Sequence, residues 1–103
     1  MLPIETVTLE GGDSLSGNVF INGHPVCDDG WSDGAANVAC RMLGFPQAQT
    51  FTDRSKFGLA EEEFIASELV CTGTEASLAE CSWQWLSQGC QASEAAGVRC
   101  QGS

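Results

Sequence analysis

A chain of 103 residues with four basic against fourteen acidic side chains carries a formal charge of −10. That balance makes nucleic acid and anionic membrane poor partners, because both need a basic footprint; it suits divalent cations, basic proteins or plain solubility. No apolar run approaches the ~20 residues needed to cross a bilayer, and the length is that of one domain with a modest core.

The opening segment, "MLPIETVTLE", has neither a basic n-region nor a long apolar run and does not read as a secretory leader. The expectation is a single domain over residues 1–103, with its core at 7–100, belonging to a longer extracellular protein. Val7 and Leu9, then Val19 and Ile21, alternate as in half-buried strands. Asn22-Gly23 between them and Pro25 is a hairpin-turn signal, since both residues tolerate positive φ. Pro25 confines the next strand to an edge or to a short entry into Cys27. The stretch "PVCDDGW" (25–31) then sets two carboxylates, Asp28 and Asp29, side by side with no basic neighbour. Such a pair marks a solvated turn, a cap for the following helix, or a place where a cation sits.

"WSDGAANVACRMLGF" predicts the main helix. Ser32 stands at the cap, Asp33 favours the positive end of the dipole, and Gly44 stands where a C′ residue stops a helix. Ala35, Val38 and Met42 recur at helical spacing and turn Cys40 inward. "PQAQTFTDRSKFGLAEEEF" reads as a long polar loop with a strand fragment near Phe51. Within it Glu61, Glu62 and Glu63 form either a solvated face or a docking surface for a basic partner. "FIASELVC" is a strand ending at Cys71, and "TEASLAECSW" a short second helix with Thr74 and Ser77 near its start. Trp83 either packs under a loop or anchors an interface. "AGVRC" is the last strand. The class is α+β: a small, disulfide-stapled domain with a curved antiparallel sheet, one main helix, a second short helix and long loops.

The six cysteines contain no CxxC pair; the two nearest in sequence are Cys81 and Cys90, and His24 is the one histidine. Zinc ligation wants tighter spacing. Three disulfides and an oxidising, extracellular compartment follow instead, though spacing alone leaves their pairing open. No Ser-His-Asp constellation, HExxH, P-loop or GxGxxG occurs, so the chain is not expected to be an enzyme.

Taken in order, "CDDGW", "ANVACRMLGF", "SELVCTGTEASLAECSWQW" and "EAAGVRC" resemble the scavenger receptor cysteine-rich domain in its six-cysteine form, from about Val7 to Cys100. The resemblance implies the bridges Cys27–Cys90, Cys40–Cys100 and Cys71–Cys81, with Trp31 and Trp85 as packing residues. It also implies a cation site built from Asp28, Asp29 and Glu94; some members carry a second cation site, for which Glu68 is the candidate here. Calcium, or else magnesium, would fit there, since adjacent carboxylates on a rigid turn supply hard oxygen ligands with little entropic reach. The chain departs from the family pattern where Asn18 replaces an arginine, Ala92 a histidine, Ala95 an aspartate and Ser67 an acidic residue. The expected function is calcium-assisted extracellular recognition of a protein, or of a polyanionic or microbial surface, the cation offering an open position to the ligand. The alternative is a cation-independent structural or adhesion domain that docks a protein through its acidic surface.

Overall fold

A computed structural model of the chain describes residues 6–60, 63–85 and 90–102, with the side chains of 66 and 83–85 left aside. The sheet begins with β1 (Val7–Glu10) and β2 (Ser16–Ile21), paired antiparallel so that Val7 faces Ile21 and Leu9 faces Val19. Asn22 and Gly23 both take positive φ, 52° and 85°, and bring His24 back opposite Ile21. This is the tight turn whose twist matches that of the flanking strands. The returning strand β3 (His24–Pro25) is two residues long, because proline has no N–H to carry the ladder further.

Helix α1 (Asp33–Met42) buries Ala35, Ala36, Val38, Ala39 and Cys40. Four small side chains among these five allow close approach to the sheet. Ser32 stands at the N-cap in extended conformation, but its hydroxyl makes no capping bond; its carbonyl accepts from Ala36 N–H at 3.0 Å. At the other end Gly44, at φ 96°, donates to the Arg41 carbonyl, and Phe45 donates to the Cys40 carbonyl. These two bonds form a Schellman stop, which needs a left-handed residue at Gly44.

Beyond α1 come β4 (Ala48–Thr52), β5 (Ala66–Val70), a single 3₁₀ turn (Leu78–Glu80), β6 (Ser82–Trp85) and β7 (Gly97–Cys100). The main sheet runs β1-β2-β7-β4 with β3 paired to β2, and β5 pairs with β6 in a separate two-stranded ribbon; every pairing is antiparallel. The polar stretch around Phe51 is therefore a full edge strand. The expected second helix is one turn long. Ser77 Oγ accepts from Ala79 N–H at 3.1 Å to open it, and Cys81 leaves it in extended conformation. The residues after Cys81, read as the end of that helix, form β6.

One core joins α1 to the sheet through Val19, Ile21, Trp31, Val38, Leu69, Leu78 and Val98. Trp31 Nε1 donates to the Gly97 carbonyl at 2.8 Å, so its indole is buried without an orphaned donor. A second cluster, Phe20, Cys27, Ala60, Phe64 and Ala95, lies under the loop that follows β4. Strand β2 is consequently buried on both faces, not half-buried as its alternation predicts. The disulfides link Cys27 to Cys90, Cys40 to Cys100 and Cys71 to Cys81, and no cysteine is free.

Candidate functional site

Residues 26–28 and 94–96 run side by side as a short irregular ladder. Ala96 N–H donates to the Val26 carbonyl, Asp28 N–H donates to the Glu94 carbonyl, both at 2.8 Å, and Cys27 bridges Ala95. The Cys27–Cys90 disulfide closes one end of this ladder. Glu94 is held within its own turn. Its N–H reaches the Gln91 carbonyl, and its Oε1 accepts from Gln91 N–H at 2.8 Å. The Asp28 backbone carbonyl accepts from Trp31 N–H at 3.1 Å, which curls the chain through Asp29 and Gly30.

The consequence is convergence. Carboxylate oxygens of Asp28, Asp29 and Glu94 lie within 4.8 Å of one another. They open onto a hollow of about 700 Å³ completed by Gly30, Asp53, Arg54 and Ser93. Asp28 Oδ2 accepts from the Arg54 backbone N–H at 2.9 Å. Burial pushes the Asp28 carboxyl above its ordinary value, the Arg54 N–H opposes that shift, and the carboxylates of Glu94, Asp29 and Asp53 add to it. A cation between these groups would offset the part of that shift that comes from their mutual repulsion.

All three donors are carboxylates, the hard oxygen type that calcium and magnesium take, and among the described residues neither nitrogen nor thiolate joins them. Among the described residues the two other clusters of potential ligands, Cys27-Asp29-Cys90 and Cys71-Glu75-Cys81, contain disulfide sulfurs that offer no thiolate. Glu68 is exposed, sits at φ 52° in the irregular stretch of β5, and is not among the converging carboxylates. Its Cα lies 3.0 Å from where a Cβ on Gly30 would stand, so the bulge buttresses the turn from behind. Of the acidic run, Glu63 is exposed and its carbonyl meets His24 Nδ1 at 2.9 Å, while Glu61 and Glu62 lie outside the described residues. The Trp83 side chain also lies outside them.

Three contributors went unread in the sequence: Asp53, Arg54 and Ser55. Arg54 and Ser55 take successive left-handed conformations, φ 51° and 50°, and fold the loop after β4 onto residues 92–95. Ser55 is buried; its hydroxyl donates to the Ala92 carbonyl at 2.6 Å and accepts from Ala95 N–H at 2.9 Å. Asx and glycine residues signal left-handed backbone, but arginine and serine do not, so nothing local announced this turn.

A sheet with one packed helix, three bridges and this carboxylate cluster define a small disulfide-stapled recognition domain. The chain belongs to the scavenger receptor cysteine-rich domain family, whose model matches residues 9–101. It is 42% identical over 96 residues to galectin-3-binding protein of Pongo abelii, covering 88% of this chain and 16% of that protein. It is 40% identical over 99 residues to lysyl oxidase homolog 2 of Mus musculus, covering 91% of this chain and 13% of that one. The chain thus spans less than a fifth of the length of either relative. Among solved structures it is similar to the third such domain of murine neurotrypsin, with TM-score 0.80 and 35% identity, over 92% of this chain and 94% of that one. Domains of this family are binding modules, and this chain is one.

Proposed function

We propose that the domain is an extracellular recognition module whose ligand binding is assisted by calcium held between Asp28, Asp29 and Glu94. Magnesium is the second cation that this oxygen set suits. The convergence of the three carboxylates within 4.8 Å carries the reading. A net charge of −10 supports it, because an anionic group on a protein or microbial surface meets repulsion here unless a cation stands between. Three disulfides in one small domain fit an oxidising, extracellular setting. Extracellular modules of this kind bind calcium at about 10⁻⁴–10⁻³ M, so occupancy would follow the calcium concentration around the cell.

The test is calorimetric titration of the oxidised domain with calcium, beside an Asp28→Asn/Asp29→Asn variant. Asparagine keeps the size of each side chain and an oxygen to accept from Arg54 N–H, so the fold is preserved while the charge is lost. Saturable heat in the parent and none in the variant supports the reading. No heat in either at several millimolar calcium overturns it and leaves the cation-independent docking domain as the better account.

A further inference from the structure

In the main sheet Asn18 of β2, Gly97 of β7 and Thr52 of β4 stand in one cross-strand row, so the two side chains project from the same face. It is the face of Phe20, which lies under the loop that follows β4. Asn18 is 3% exposed and Thr52 6%. Asn18 Nδ2 donates to the Gly58 carbonyl at 2.9 Å, which fixes the orientation of the amide. Asn18 Oδ1 and Thr52 Oγ1 are sealed from solvent, and among the described residues neither has a hydrogen-bond partner. Gly97 puts no side chain between them. Around the point where its Cβ would stand are Thr52 Oγ1, the Gly17 carbonyl oxygen at 2.7 Å and Asn18 Cα at 3.3 Å. An alanine would collide there, and glycine leaves the place to the polar atoms.

We propose that a single internal water is built into this row and bridges Asn18 to Thr52. Two buried polar atoms left unpaired are costly, and an enclosed polar site holds water where an apolar one stays dry. The two oxygens do not bond each other, since each would then have a partner. With water the bonds balance. The Thr52 hydroxyl donates to the water, which donates one proton to Asn18 Oδ1 and the other to a lone pair of the Gly17 carbonyl. That makes about three bonds, the usual complement of a buried water. A cation is the poorer occupant, because all of these oxygens are neutral and nothing offsets its charge. Asn18 then ties the sheet, through the water, to the loop, through Gly58. The same loop carries the Arg54 N–H that grips Asp28 and is anchored by Ser55 to Ala92 and Ala95. The water therefore braces one wall of the carboxylate hollow from beneath, and its exchange with solvent requires the loop to lift. This inference does not depend on the cation reading.

The experiment is a crystal structure of the oxidised domain at a resolution that places waters, beside two variants. Thr52→Val keeps the shape and removes the hydroxyl; Thr52→Ser keeps the hydroxyl. The expected result is one ordered water about 3 Å from both Asn18 Oδ1 and the hydroxyl of residue 52 in the parent and in Thr52→Ser, and none there in Thr52→Val. In solution, water magnetic relaxation dispersion should count one long-lived water fewer in Thr52→Val than in the parent. The melting temperature of Thr52→Val should fall by about 4–8 °C. A direct bond between Thr52 Oγ1 and Asn18 Oδ1 in the parent crystal would overturn the proposal, as would an equal count of long-lived waters in the two proteins.

Discussion

Asp28 and Glu75 are carboxylates whose surroundings act in opposite directions. Burial and three neighbouring carboxylates raise Asp28, so ionising it costs the folded state stability. That cost sets in as pH rises through the carboxylate range and is complete at neutral pH. Asp28→Asn should therefore melt at an equal or higher temperature than the parent in calcium-free buffer. Under the proposed reading, about 10 mM calcium adds about 1.4 kcal/mol to the parent for a dissociation constant of about 10⁻³ M, and little to the variant. Equal calcium shifts in the two thermal melts would remove Asp28 from the site. Glu75 accepts from the N–H and hydroxyl of Thr72 and from Gly73 N–H, and these bonds lower its pKa to about 2. Its contribution is fully present above the ordinary value of 4.5 and is lost as pH falls through about 2. The Thr72 and Gly73 amide signals should titrate with that low midpoint, and Glu75→Gln should abolish the titration. A midpoint near 4.5 would show that the turn does not hold the carboxylate.

At the level of elements, two glycines of α1 and its stop do different work. A Cβ on Gly34 would stand 2.1 Å from the Cys71 carbonyl oxygen, so the helix start and the end of β5 touch backbone to backbone. A Cβ on Gly44 would meet nothing within 4 Å, and only its φ of 96° requires glycine. Gly34→Ala should cost about 1–3 kcal/mol by forcing these two elements apart. Gly44→Asn, which tolerates the left-handed region, should cost about 1 kcal/mol or less. Urea unfolding of both variants checks the order, and a reversed order would show that the helix start has room to shift. Elements of this kind were legible where chemistry is local: the Asn22-Gly23 turn, the alternation of β1, and the helix with its glycine stop. Elements defined by distant partners were not. Strand β6 follows a capped turn and pairs with β5 because the Cys71–Cys81 bridge brings Val70 opposite Ser82. Burial of both faces of β2 depends on a loop that begins some thirty residues later in the chain.

Across the whole molecule the three bridges are unequal. Cys27–Cys90 and Cys40–Cys100 span 63 and 60 residues, and Cys71–Cys81 spans 10. Chain entropy assigns about 4 kcal/mol to each long bridge and about 3 kcal/mol to the short one. Their local consequences differ more than these totals. Cys27→Ala/Cys90→Ala frees the ladder that sets Asp28 beside Glu94, so under the proposed reading it should weaken calcium binding strongly in calorimetry. Cys71→Ala/Cys81→Ala should lower the melting temperature and leave calcium affinity close to that of the parent. Equal loss in both variants would mean that the site follows global stability. The carboxylate triad, like the cysteine pairing, was legible through resemblance to a family and not through spacing. Asp29 and Glu94 stand far apart in the chain, and only the folded ladder brings them together.

Glu94 and Asp28 are already gripped by Gln91 and Arg54 backbone N–H groups, so under the proposed reading an arriving ion would find two of its three carboxylates in place and wait for no loop to settle. Entry would then be limited by diffusion, at about 10⁸–10⁹ M⁻¹s⁻¹ in a focusing acidic field. With millimolar-range affinity the ion leaves at about 10⁴–10⁶ s⁻¹. A calcium ion would therefore come and go many times during a single visit by a macromolecule, and its residence would lengthen only when that visitor lends an oxygen of its own.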